Sequence, residues 1–291
     1  MKRIISLITA LLSIINSTLL PAQQSSTFNN NSLLWRISGN HLSKPSYIFG
    51  TMHLICPDDY VWTEHMKKSL SESDKICLEM DMDDPSVLMQ VAKGLIDTSG
   101  KKLEDYFTPQ QYNLVKRYVK DSLGMDIAFF QQMKPIALQS IMTSNGITCS
   151  NPISYEDSIM KTAQKSKKEI LGLEEPKEQL AVLESIPVDT LIKDLLEEIQ
   201  GTNNNDSDYQ QLITAYKAQD IRALYLLITS SKDLGDMGIF LDQRNKKWIP
   251  RMAGKMKNSS VFFAVGAGHL WGDKGIITLL RKEGYTVEPE R

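Results

Sequence analysis

The chain has 291 residues, 42% of them hydrophobic, with 33 Lys and Arg against 35 Asp and Glu, giving a formal charge of −2. That is enough apolar material for one large domain or two small ones, and the slightly acidic balance excludes a nucleic-acid binder working by phosphate neutralisation. Cys56, Cys77 and Cys149 allow at most one internal disulfide and match no zinc-finger spacing, so a disulfide framework is excluded and each is expected to be a small buried residue.

Residues 1–22 read as a secretory signal peptide: Lys2 and Arg3 precede the apolar run "IISLITALLSIINSTLL", and Pro21-Ala22 offers a small residue for cleavage. Removal of Lys2 and Arg3 leaves 31 basic against 35 acidic residues, or −4. The expected product is exported, to a periplasm or cell envelope or into the medium, without a stable membrane anchor. Polar residues 23–32, "QQSSTFNNNS", are expected to form a flexible leader before a domain at 33–291.

Strand-like runs follow at "LLWRIS" and "SYIFGT", separated by the turn "GNHLSKP", and at "DKICLEM", 74–80. Residues 85–145 read as a helical insertion. It contains "PSVLMQVAKGLI" and "TPQQYNLVKRYVKDSLG", in which Thr108 caps, Pro109 suits the first turn and Gly124 the stop. "YEDSIMKTAQKSKK" is a further helix, "EILGLE" at 169–174 a short strand, and 176–257 is helical apart from the loop "GTNNNDSD". Strand "SSVFFAVG", helix "KGIITLLRKEG" and strand "YTVEPE" close the chain. Strands joined by helical crossovers predict an α/β fold with a central mixed or mainly parallel sheet and a large helical insertion.

Two segments share one device. "SYIFGTMHLI" and "VFFAVGAGHLWG" each end a β-type run in Gly-x-x-His, and they hold two of the four histidines, His53 and His269. Ligands of α/β sheets bind beyond the carboxyl ends of the strands. His53, Glu79, Glu174 and His269 all fall there, and two imidazoles with two carboxylates suit zinc, manganese, cobalt or iron. The glycines are expected to let the backbone turn off the strand or approach a neighbour closely. His41 and His65 read as surface residues.

"LLWRISG", "SYIFGTMHL", "KICLEMD", "GLEEPKEQL", "DQRNKKW" and "VFFAVGAGHLWGDKGIITLLRKEGYTV", in that order, resemble the TraB/GumN family, which is related to the Tiki metal-dependent peptidases. The resemblance implies one site containing His53, Glu79, Glu174 and His269, and it adds Arg244 and Asn245. The roles expected are metal binding by His53, Glu79 and His269, with Glu174 as general base, Arg244 at the oxyanion and Asn245 orienting substrate or water. The implied activity is that of an exported metal-dependent hydrolase of peptides or proteins. The rival is an envelope protein that binds haem, a metal or a signalling peptide in the same crevice without turnover.

Overall fold

The structure, a computed structural model, describes residues 31–145, 147, 149, 151–202, 205–230 and 237–290. The signal-peptide reading and nearly all of the leader lie outside the described residues. Ser32, placed in the leader from sequence, belongs to the fold: it is fully buried and its hydroxyl donates to the carbonyls of Leu34 and Glu290.

Six strands form one mixed sheet: β1 (Leu34–Gly39), β2 (Ser46–Thr51), β3 (Lys75–Leu78), β4 (Glu169–Gly172), β5 (Val261–Gly266) and β6 (Tyr285–Pro289). Their spatial order is β4-β3-β5-β2-β1-β6. β4, β3, β5 and β2 run parallel to one another, while β1 is antiparallel to both β2 and β6. Central β5 is buried from Val261 to Val265, as a strand covered on both faces requires, which is why "VFFAV" shows no alternation of polarity.

The helices are α1 (Glu64–Glu72), α2 (Pro85–Gly94), α3 (Pro109–Asp121), α4 (Pro135–Asn145), α5 (Tyr155–Lys165), α6 (Pro176–Glu184), α7 (Val188–Gln200), α8 (Asn205–Lys217), α9 (Ile221–Ser230), α10 (Gln243–Met256) and α11 (Ile276–Lys282). Thr108 caps α3 in a reciprocal box with Gln111, and Pro109 occupies its first turn. Gly124 adopts the left-handed φ of +65° just beyond the helix end, where a Cβ would be strained.

The sheet and its covering helices share one apolar core, which includes Trp35, Phe49, Tyr155, Trp248, Phe262 and Phe263. A second core lies among the helices of 85–145, where Leu103, Val115, Val119, Phe130, Leu138 and Met142 pack with Leu195 of α7. A small cluster of Ile136, Ile186 and Leu191 receives Phe240. Phe240 belongs to a π-helical turn, Gly238–Asp242, that runs directly into α10. That turn ties the helical layer to the residues that open α10.

One crosslink was not expected from the cysteine reading. Cys56 and Cys149 are paired, with Cα atoms 5.9 Å apart, and close a segment 93 residues long. The neighbouring Ile55 and Ile153 exchange backbone hydrogen bonds, so the loop after β2 is doubly fastened to the segment leading into α5. Cys77 alone behaves as the small buried thiol expected, and burial pushes its pKa up to about 12.

Candidate active site

The parallel pairing of β2 with β5 explains the repeated motif. Gly50 lies opposite Val265 and Thr51 opposite Gly266, so the two Gly-x-x-His segments leave adjacent strands at nearly the same level. Neither glycine uses a left-handed φ. At Gly50 the need is close approach, since a Cβ there would stand 2.7 Å from Leu270 Cδ1 and 3.1 Å from Ala267 Cα. At Gly266 a Cβ would meet only ordinary contacts, the nearest at 3.4 Å. Its contribution is the backbone N–H, which donates to Glu79 Oε1 at 2.8 Å.

Glu79 follows β3 directly. Glu174 lies two residues past β4, where its own backbone N–H donates to the Glu79 carbonyl at 2.8 Å and so extends the pairing beyond both strands. Arg244 and Asn245 sit in the first turn of α10, buried, and not in a surface turn. Arg244 is the hub: its Nη2 donates to Glu79 Oε2 and Glu174 Oε1, each at 2.6 Å, and its Nε donates to Glu174 Oε2 at 3.0 Å. Nη1 lies 3.2 Å from His269 Nε2.

The tautomer of His269 follows from Asn245. The amide Nδ2 donates to the carbonyls of His269 and Lys274, so Oδ1 is the atom that faces His269 Nδ1, at 2.6 Å. An acceptor there requires Nδ1 to carry the proton, which leaves the Nε2 lone pair toward Arg244 and Glu79. Asn245 therefore orients His269, using both amide hydrogens and one of the two Oδ1 lone pairs.

Burial sets the charges, and Arg244 redistributes them. Burial opposes ionisation of Glu79, but the Arg244 charge, with smaller help from the histidines and Gly266, outweighs it and holds the carboxyl at about 2. For Glu174 burial wins, aided by the neighbouring Glu79, and the pKa lies above the ordinary carboxylate value. Burial and the Arg244 charge push His269 down to about 3, so it is a neutral imidazole. Arg244 itself is held charged by the two carboxylates.

His53 stands apart. Its side chain is 74% exposed, and its Nδ1 lies 3.3 Å from Glu156 Oε1. That carboxylate also accepts from Thr51 at 2.7 Å and Ser154 at 3.2 Å. The Glu156 hydrogen bond raises the His53 pKa, and the charges of Glu79 and Arg244 reach it as well.

Two residues of this centre escaped the sequence reading. Glu156 begins α5, far from any strand end. Trp248, one turn after Arg244, donates from Nε1 to Glu174 Oε2 at 3.2 Å, lies under the guanidinium at 4.7 Å and faces the His269 ring at 4.5 Å. The spacing of Arg244, Trp248 and Arg251 on one helix face was the signal available for Trp248; Glu156 offered none.

The donor types suit a divalent ion, since each imidazole is tied through Nδ1 and offers Nε2, and Glu79 is ionised. The arrangement does not fit one: among the described residues no three His, Cys, Asp or Glu side chains gather as a group able to hold a metal. Arg244 lies on both carboxylates, and the nearest approach of His269 Nε2 to Glu79 Oε1 is 3.9 Å.

Residues 33–289 match the TraB/PrgY/gumN family. Among characterised proteins the chain is similar to the metalloprotease TIKI1 of Danio rerio, 22% identical over 89% of this chain. It is also similar to the metalloprotease TIKI2 of Xenopus tropicalis, 23% identical over 89%, and to a metalloprotease TIKI homolog of Amphimedon queenslandica, 25% identical over 90%. The matches span 63%, 60% and 62% of those proteins, so the chain corresponds to somewhat under two thirds of their length. No solved structure matches the chain. With the six-stranded mixed α/β sheet, both Gly-x-x-His segments and the Arg244 centre all inside the matched residues, this protein belongs to the TraB/PrgY/gumN family.

Proposed function

We propose that this chain is an exported hydrolase of peptide bonds, of the Tiki metallopeptidase type, working at the centre formed by Glu79, Glu174, Arg244 and His269. The observation that carries the reading is the buried guanidinium bridging carboxylates from two strand ends beside a neutral imidazole of fixed tautomer. Such a charged cluster is expensive to bury and weak as a source of stability. Placed at the carboxyl edge of a parallel sheet, it has the character of a reaction centre.

Each side chain has a defined task in this reading. Glu174, with its raised pKa, accepts the proton of an attacking water and returns it to the leaving amine. Arg244 supplies positive charge to the oxyanion that develops on the scissile carbonyl. His269 presents Nε2 as an acceptor, held in place by Asn245 and the Trp248 ring. The relatives' names support a divalent metal, and His53, Glu79 and His269 remain the donors proposed for it, with manganese, cobalt, zinc or iron as candidates. Export is supported by the Cys56–Cys149 disulfide, a crosslink of oxidising compartments. Among the described residues no helix is long and apolar enough to cross a membrane.

The test is cleavage of a labelled peptide library by the purified chain, with and without added Mn²⁺, Co²⁺, Zn²⁺ or Fe²⁺, beside Glu174→Gln. Cleavage that Glu174→Gln abolishes is expected. Tight peptide or haem retention with no cleavage under any condition would overturn the hydrolase in favour of a binder.

A further inference from the structure

Each of the two Gly-x-x-His rings is met at the same atom by a side chain from the start of a helix. His269 Nδ1 faces Asn245 Oδ1 at 2.6 Å, and Asn245 is the third residue of α10. His53 Nδ1 faces Glu156 Oε1 at 3.3 Å, and Glu156 is the second residue of α5. In the first case the effect is visible, because Nε2 is thereby turned toward Arg244 and Glu79. In the second the ring is 74% exposed, so with Nδ1 against the carboxylate its Nε2 edge opens to the crevice.

We propose that Glu156 is a positioning residue of the hydrolase centre: it holds His53 by Nδ1, as Asn245 holds His269, and so presents Nε2 to the crevice in which the scissile peptide lies beside Arg244. One rung of the sheet ties the two histidine environments together. Thr51 of β2 pairs with Gly266 of β5; the Gly266 N–H donates to Glu79 Oε1 at 2.8 Å, and the Thr51 hydroxyl donates to Glu156 Oε1 at 2.7 Å. The carboxylate facing His53 is thus fixed to the same strand ends as the one beside His269. His53 feels the charges of Glu79 and Arg244, and Glu79 and His269 feel that of His53, so the ring stands within electrostatic reach of the centre. The inference rests on the hydrolase reading for the identity of what Nε2 meets.

The helix start does not need Glu156. Ser154 caps α5 by accepting from the Asp157 N–H at 3.2 Å, and Asp157, exposed in the same turn, supplies the acidic charge that a helix N-terminus favours. Attachment of α5 to the sheet does not need it either. Tyr155 is fully buried with its hydroxyl bonded to the Val61 backbone, Ile55 and Ile153 exchange backbone hydrogen bonds, and the Cys56–Cys149 bond joins the same two segments covalently. These links fix the backbone around the His53–Glu156 contact. Against that background the Glu156 side chain, 21% exposed, is turned inward to the imidazole instead of outward to water.

Ring tautomer and kinetics together decide it. With ¹⁵N-labelled histidine and the His53 signals assigned through His53→Gln, wild type should carry the ring proton on Nδ1 above the pH at which His53 titrates. Glu156→Ala should lose that preference, with near-ultraviolet circular dichroism to confirm native packing. Should Glu156→Ala fail to pack, Glu156→Met keeps the side-chain volume without the acceptor and takes its place. On a fluorogenic peptide that wild type cleaves, Glu156→Ala should lower kcat by about tenfold or more with KM nearly unchanged. Glu156→Gln, whose Oε1 can still accept from Nδ1–H, should recover most of that loss. His53→Gln should cost at least as much as Glu156→Ala, and combining the two should cost nothing further, because they act as one unit. Wild-type kcat in Glu156→Ala, losses that multiply in the double variant, or an Nδ1–H form that survives without Glu156 would overturn the positioning role alone. A wild type that cleaves no peptide would overturn the hydrolase reading, and the catalytic role of Glu156 with it, whatever the tautomer.

Discussion

His53 and His269 end the same four-residue pattern on adjacent strands, yet they occupy opposite environments. The His269 side chain is 4% exposed, bonded to an amide and driven toward neutrality; that of His53 is 74% exposed, bonded to a carboxylate and driven toward protonation. The local sequence places both rings beyond the sheet edge. Protonation is decided by what arrives from elsewhere: α10 brings Arg244 and Asn245 to one ring, and α5 brings Glu156 to the other.

The largest effect that would sharpen this contrast is on the buried side. Arg244→Met leaves Glu79 and Glu174 without their cation, and a loss of about 3–5 kcal/mol in unfolding free energy is expected from urea titration. A loss under 1 kcal/mol would mean that the His269 side is as solvent-screened as the His53 side. Next comes chemistry: Glu174→Gln keeps size and reach but removes the proton acceptor, so peptide turnover should fall by about a hundredfold or more. Full wild-type turnover would remove Glu174 from the mechanism.

The pH dependences should run in opposite directions. Glu79, depressed from 4.5 to about 2, contributes roughly 3 kcal/mol that is present above pH 4.5 and lost as pH falls through 2. His269, depressed from 6.5 to about 3, likewise favours the fold above pH 6.5 and costs stability as pH drops toward 3. The His53–Glu156 pair has the reverse sign at its basic end: the Glu156 hydrogen bond raises the His53 pKa, by an amount that solvent screening of the 74% exposed ring keeps small, so the contribution is present while Glu156 is ionised and His53 protonated and fades as pH rises above 6.5. Imidazole proton NMR should show His53 titrating above the ordinary range and His269 staying neutral down to pH 4. With the two signals assigned through His53→Gln and His269→Gln, finding that His53 and His269 titrate together near 6.5 would break the comparison.

The smallest effect belongs to the open pair. Glu156→Gln should cost about 1 kcal/mol or less by thermal unfolding, since one partner is exposed and screened. A larger loss would point to the Thr51 and Ser154 hydrogen bonds as the real role of Glu156.

Much of this was legible because strands and their exits are local signals. "YIFG" and "FFAVG" announce β2 and β5, and a polar residue just past an apolar run announces the edge, which located Glu79, Glu174, His53 and His269. Thr108-Pro109 marked a helix start through its capping chemistry. The rest was not legible because it depends on approach from distant elements. Nothing near Glu156 refers to His53, which lies 103 positions earlier, and Cys56 acquires its partner only because Cys149 and, beyond it, Ile153 lie against the β2 loop. Arg244 and Asn245 came from family resemblance. Their division of labour, one bridging carboxylates and the other fixing a tautomer, emerged only when α10 was laid against the sheet edge.

The position of β5 has a further consequence, for assembly. It is the fifth strand in the chain but lies third across the sheet, between β3 and β2. Without Val261–Gly266 the sheet would be two separate pieces, β6-β1-β2 and β3-β4, each with an inner edge of unpaired backbone groups. Closing the gap needs contacts 215 positions apart to β2 and 186 apart to β3, the kind of long-range pairing that slows folding and leaves open edges exposed to other chains meanwhile. The strand that completes the sheet is also the one that delivers His269. A chain in which β5 has not paired therefore lacks both His269 and the Gly266 N–H at the Arg244 cluster.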